Sequence, residues 1–341
     1  MDLLNPYYLQ IVMFFIINAI LGISIYFTLS SGQLSLGAAG FMSVGAYVAA
    51  LMTLKADLPI FVGIITGGFV AALVAIIIGL PTVRLRGLYL AIATLGFGEV
   101  VRVSFLNLEV TNGALGLSGI PAIAQEFTNY AYELDLDKFL GLDAMTWGNV
   151  ITIFILLIVL ALVLLFCVRI NRSRVGRAFA AIKADDHAAE LMGINVVYYK
   201  MMAFIIGAFI AGIGGGLYAH ITNFINPTDF SYHKVVQILL FPVFGGSNVV
   251  WGSVLGSFIL TLLPEVLRFL SDYRDVIYGA LLVILMAVRP DGILTESLVD
   301  KIIRKLGLKK TPYIPETQVL TERFEAYKRS QQSTSTPDHK E

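Results

Sequence analysis

The 341-residue sequence has a single cysteine, Cys167, so no disulfide can form within the chain. Charge is also scarce. Asp, Glu, Lys and Arg make up 14% of the residues, where a soluble globular domain carries roughly 25%, so the chain cannot cover a water-facing surface. The 24 basic and 24 acidic residues cancel, which leaves no electrostatic footprint for nucleic acid. No Gly-Lys dipeptide occurs, so the phosphate-cradling Walker loop is absent and any ATP energy must come from another chain. The four histidines (His187, His220, His233 and His339) form no His-Glu-x-x-His pattern. No metal site, cofactor or catalytic constellation is expected.

Apolar residues are what the chain has in abundance: 57% of the total, with a mean hydropathy of +0.79. Residues 7–54, 58–83, 87–98, 144–168, 201–219, 235–264 and 276–288 contain no charge and no histidine. A spanning helix needs about 20 such residues. Segment 150–168 has 16 Val, Ile, Leu and Phe, worth roughly 5–10 kcal/mol in favour of insertion. The expected fold is all-α and polytopic, with eight or nine membrane helices over 7–29, 36–54, 59–80, 88–107, 148–168, 201–222, 249–268 and 274–290, and a shorter 235–247 that crosses or re-enters. Pro242, Gly245 and Gly246 interrupt that short piece. The N-terminus lacks the basic region of a secretory signal and reads as a retained first helix.

Lys and Arg set the orientation. Arg84 and Arg86, six basic residues in 169–200 and ten from Arg289 onward place those segments in the cytoplasm. Segment 108–147, with six acids against Lys138, is expected outside. Consistency then requires an outside N-terminus, an inside C-terminus and a crossing at 235–247. The chain divides into a transmembrane domain, 1–290, and a cytoplasmic tail, 291–341. In the tail, 291–310 reads as an amphipathic surface stretch and the end as disordered.

Two glycine-rich interruptions stand out: SGQLSLGAAGFMSVGAY (31–47) and FGGSNVVWGSVLGSF (244–258). Paired breaks point to a substrate path in transporters built from repeats, and glycines equally let helices pack closely. Glu99 and Arg102 lie inside a span at i and i+3, on one helix face. They are expected to face the protein interior, either at a path or moving interface or as a static packing pair. Segment 172–200 suggests one or two short helices ended by a glycine. Its apolar stripe, Val175, Phe179 and Ile182, either docks into a groove of a soluble partner or lies in the headgroups.

At this point the sequence resembles the branched-chain amino-acid ABC permeases of the LivM type. The first glycine-rich segment matches, as do RLRGLYLAIATLGFGEVVR with LGLSGIP, GRAFAAIKADDHAAELMGINVVYYK, and FGGSNVVWGSVLGSF followed by RPDGIL. The likeness runs in order over about 7–295. Urea permeases share much of the pattern, and where many relatives have a histidine in the first motif this chain has Ala38.

The resemblance implies an importer subunit, not an enzyme, in the inner membrane of a prokaryote, carrying leucine, isoleucine or valine. The partners it implies are a paralogous LivH-type permease, two ABC ATPase subunits and an extracytoplasmic binding protein. It places ATPase coupling at Arg177, Ile182, Glu190 and Gly193. The path or its gate is expected at Gln33, Ser35, Gly37, Gly40, Gly245 and Gly246, with Glu99 and Arg102 as buried polar residues. A self-sufficient channel or ion-coupled transporter is the rival reading. Such proteins usually carry buried acids or histidines at mid-membrane.

Overall fold

A computed structural model describes residues 5–133 and 144–266, with the isolated positions 279 and 283. The chain divides into two units, Met1–Leu294 and Thr295–Glu341, and the described residues all belong to the first. The expected span 274–290 and the tail 291–341 lie outside the described residues, apart from those two positions.

The helices are α1 (Pro6–Ser30), α2 (Ala38–Lys55), α3 (Ile60–Thr82), α4 (Leu88–Asn107), α5 (Ile123–Glu133), α6 (Ala144–Asn171), α7 (Arg174–Ala184), α8 (Asp186–Leu191), α9 (Val196–Thr222), α10 (Tyr232–Gly245) and α11 (Val250–Val266). Among the described residues, α1, α2, α3, α4, α6 and α9 are each long and apolar enough to cross a membrane, and α10 with α11 forms a further pair bent by 119°. One departure from an all-α chain is a two-residue antiparallel ladder between β1 (Leu117–Ser118) and β2 (Phe224–Ile225).

Helix α1 starts where Asn5 accepts the Tyr7 amide at 3.1 Å and Pro6 occupies the first turn, which suits its missing N–H. It is apolar all round and, as that pattern demands, its core stretch is 78% buried. Hydroxyls inside the spans bond back to their own helix, as Ser24 does to the Leu21 carbonyl (2.6 Å) and Thr28 to that of Ile25 (2.9 Å). In a membrane interior this spares them an unsatisfied donor.

Lipid is as apolar as leucine, so helices associate by close packing and a few hydrogen bonds. Glycines supply the close packing. A Cβ on Gly45 of α2 would collide with the Gly212 carbonyl of α9, and one on Gly215 with the Met42 carbonyl. A Cβ on Gly212 would lie 2.9 Å from Gly68 Cα of α3, so three helices meet at backbone contact. Asn18 of α1 donates to Thr261 of α11 at 3.0 Å, and Asn171 of α6 to Tyr26 of α1 at 2.8 Å. Such interhelical bonds contribute about 0.6–1.7 kcal/mol each.

The short piece at 235–247 becomes α10, which carries Pro242 and ends at Gly245. It starts just after the β ladder and the Pro227–Phe230 turn. Its far end reaches α7, where Lys183 Nζ donates to Asn248 Oδ1 at 2.6 Å. The turn that follows the segment therefore lies beside α7. At 14 residues it is about 21 Å long, shorter than the hydrocarbon core, and α11 turns back along α1. The turn is tight because Gly245 lies on the Gly252 carbonyl and Gly256 on that of Phe241.

Candidate functional site

The basic segment 172–200 folds as two short helices. Ser173 caps α7 by accepting the Val175 amide at 3.1 Å. Asp185 caps α8 by accepting the amides of His187 (2.8 Å) and Ala188 (3.1 Å). Those amides, Ala188 first and then His187, hold the Asp185 carboxyl below the usual range. At the far end of α8 the Gly193 amide bonds to the Glu190 carbonyl (2.9 Å) and that of Ile194 to the Ala189 carbonyl (3.1 Å). This is the Schellman closure, and Gly193 has φ +81°, in the left-handed region that favours glycine.

The apolar stripe of α7 points inward. Phe179 and Ile182 are each about 1% exposed; Phe179 belongs to the large core of the membrane domain, and Val175 packs against that core. Ile182 therefore offers no surface to a partner and instead anchors α7 to the bundle. The faces left open are polar or belong to the Schellman turn. Arg177, Glu190 and Gly193 are exposed, and Leu191 and Met192 are 88% and 82% exposed. Beside them a cleft of about 510 Å³ is lined by Arg84, Arg86, Asp186, Glu190, Gly193 and Lys200. Lys200 donates to Asp186 at 2.5 Å, and Arg86 meets His187 at 3.0 Å.

Both glycine-rich interruptions touch the last turn of α7. In the first, a Cβ on Gly32 would lie 3.2 Å from Lys183 Cα, so the α1–α2 turn rests its backbone on that residue. In the second, Asn248 accepts from the Lys183 ammonium. Sequence reasoning missed Lys183, Asn248 and Gly32 as a junction. The available signal was only that Lys183 follows Ile182 within the segment expected to couple.

The path residues divide by environment. Gln33 is buried, and neither polar atom of its side chain has a hydrogen-bond partner among the described residues. Ser35 accepts the Gly37 amide at 3.3 Å, and Leu36 donates to Thr94 of α4 at 2.9 Å, which ties the start of α2 to α4. A Cβ on Gly40 would lie 2.9 Å from Gly98 Cα. Gly40 and Gly245 thus sit at helix contacts, and Gly246 has φ +122° just beyond α10. The structure brings Gln33, Ser35, Gly37 and Gly40 together at the base of α2, with Gly245 and Gly246 in the other turn. Buried hydroxyls at Ser43, Tyr47 and Ser253 also lack partners among the described residues; all three lie in the two glycine-rich segments, though none was singled out as a path residue.

Glu99 and Arg102 do pair, through Arg102 Nε to both carboxylate oxygens at 3.0 and 2.9 Å. The pair is only partly buried: the Arg102 side chain is 22% exposed and that of Glu99 51%. The pair lies about 17–21 Å along a 20-residue helix of about 30 Å, past its midpoint and inside the span. Facing lipid there costs about 2.5–3.5 kcal/mol per charge or more.

At the other end of the bundle, a cleft of about 470 Å³ has Gln10, Gln125, Thr128, Asn149, Thr152 and His220 among its lining residues. His220 is held by the Gly216 carbonyl (2.7 Å) and the Thr53 hydroxyl (3.2 Å), a structural tie between α9 and α2. No group of three or more His, Cys, Asp or Glu able to hold a metal occurs among the described residues.

Residues 7–286 match the family described as branched-chain amino acid transport system / permease component. The chain is 35% identical, over 77% of its length, to the high-affinity branched-chain amino acid transport system permease protein LivM of Escherichia coli K12. The match spans 64% of that relative. It is 33% identical, over 39% of its length and 44% of the relative, to the permease protein LivH of the same system and organism. The probable branched-chain amino acid transport permease protein LivM of Methanocaldococcus jannaschii is 23% identical over 70% of this chain and 68% of its own. No solved structure matches.

Proposed function

This chain belongs to the family of permease components of branched-chain amino acid transport systems, and from that premise we propose that it is one membrane subunit of an ATP-driven importer. It carries leucine, isoleucine or valine across the inner membrane of a prokaryote. Its partners are a LivH-type permease, two ATPase subunits that hydrolyse the nucleotide, and an extracytoplasmic binding protein that delivers the amino acid. The α7–α8 pair is the coupling element. Arg177, Glu190, Gly193 and the open Leu191–Met192 turn meet the ATPase, and Ile182 holds the pair to the bundle from within.

One observation carries this reading: the last turn of α7 touches both glycine-rich interruptions at Lys183. A rigid displacement of α7 by closing ATPases therefore pushes the base of α2 and the α10–α11 turn at the same time. The first push reaches α4 through the Leu36–Thr94 bond. Gln33, Ser35, Gly37, Gly40, Gly245 and Gly246 lie in the two turns that move, which suits them to gating as well as to packing.

Reconstitution with the four partner types in liposomes tests the proposal. Leucine uptake should require ATP and the binding protein. Lys183→Ala should leave ATP hydrolysis near its original rate and cut uptake roughly tenfold, the scale of one lost charged hydrogen bond. Uptake by the chain without ATPases would support a self-sufficient channel instead. Undiminished uptake in the variant would remove Lys183 from the coupling route.

A further inference from the structure

Three helices form much of the outer surface of the bundle, and their open faces differ in chemistry. On α3 the large exposed side chains are apolar, among them Phe61, Phe69, Leu73 and Ile77, and on α6 they include Phe154, Leu162 and Leu165. Both faces suit lipid. Helix α4 is the least buried of the six spans, with 22% of its core stretch covered. Its open seam runs Tyr89, Ile92, Gly96, Glu99, Val103, a 3-4-3-4 spacing that lines one side of a helix.

Two features of that seam are unexplained by the chain's own fold. A Cβ on Gly96 would meet nothing within 4 Å, so no contact among the described residues requires glycine there. Glycine in a helix interior lowers stability relative to alanine, and its usual compensation in a membrane is the close approach of another helix. Nearly one turn further along, the Glu99–Arg102 pair leaves its Glu99 side chain 51% exposed within the span, where lipid is a poor neighbour for charge.

We infer that the α4 seam is the surface on which the second permease subunit packs, its helix crossing at Gly96 and its polar groups completing the coordination of the Glu99–Arg102 pair. This rests on the importer reading above. The occupant is a second permease because one relative's system, that of Escherichia coli, has two differently named permease proteins, and this chain is similar to both. An internally neutral ion pair also asks for hydrogen-bonding groups from its neighbour, not for a net charge. The contact places the seam beside the base of α2, which is bonded to α4 at Thr94, so the moving element and the subunit boundary adjoin.

Photocrosslinking in the assembled complex tests this. A benzophenone amino acid is placed at Ile92 or Val103, with Phe69 on α3 and Leu162 on α6 as comparison sites, and the adducts are mapped by mass spectrometry. The expected result is crosslinking to the co-expressed LivH-like permease from 92 and 103, and at least about tenfold less from 69 and 162. In parallel, Gly96→Leu should reduce recovery of that permease at least about tenfold while this chain is recovered in full. Adducts from 92 and 103 to residues 274–290 of this same chain, or to lipid alone, would overturn the surface assignment if the second permease still co-purified. Failure of any second permease to co-purify with the unaltered chain would overturn the importer reading and the surface with it.

Discussion

Gly215 on α9 and Gly96 on α4 lie in membrane helices of similar composition with opposite surroundings. A Cβ on Gly215 would strike the Met42 carbonyl, whereas one on Gly96 would find open space. Gly193 is a third case: its surroundings are also open, but its backbone has φ +81°. In the first the neighbouring helix demands glycine, in the third the dihedral does, and in the second nothing within the described chain does. At Gly96 the proposed subunit contact supplies the missing reason.

The sharpest way to break this comparison is to fill the crowded site. Gly215→Leu must force α2 and α9 apart, and overpacking of this kind costs about 3 kcal/mol or more. Yield of monodisperse protein in mild detergent should collapse, and full recovery would mean the contact is looser than described. A smaller effect is expected at Gly193, where valine strains the left-handed backbone by about 1–2 kcal/mol without touching a neighbour. Gly193→Val should fray α8, seen as faster hydrogen exchange at the Ile194 amide, and reduce coupled uptake. Gly193→Asn should restore much of both, because asparagine tolerates that conformation; equal damage from both variants would point to a size limit at a partner surface instead. The smallest effect is expected at Gly96. In the chain alone, Gly96→Leu should cost no thermal stability and gain up to about 0.5–1 kcal/mol from helix propensity, and a large loss there would show that the chain covers its own seam.

Much of the fold was legible in the residue order. The spans at 7–29 and 88–107 recur as Pro6–Ser30 and Leu88–Asn107 because a stretch of about twenty mostly apolar residues satisfies its backbone in a bilayer as a helix. The helix pair at 172–200 was visible in its period, and Gly193 in its role as a stop. The direction of faces was not visible. Val175, Phe179 and Ile182 announce an apolar stripe, and spacing is silent on whether a partner or the chain itself covers it; here Phe179 joins the core with Val175 against it, and Ile182 is buried within the chain. Glu99 and Arg102 announce a shared face but not that it turns outward.

The two glycine-rich breaks show the same division. Their local chemistry, weak helix propensity and small volume, was enough to mark them as places where spans end and helices approach. Their meeting at Lys183 joins residues 32, 183 and 248, which no local rule connects. Insertion and helix formation depend on composition over a turn or a span, so the one-dimensional order decides them. Which faces meet, and which stay open for another subunit, depends on backbone contacts between residues up to hundreds of positions apart, and those exist only once the helices have packed.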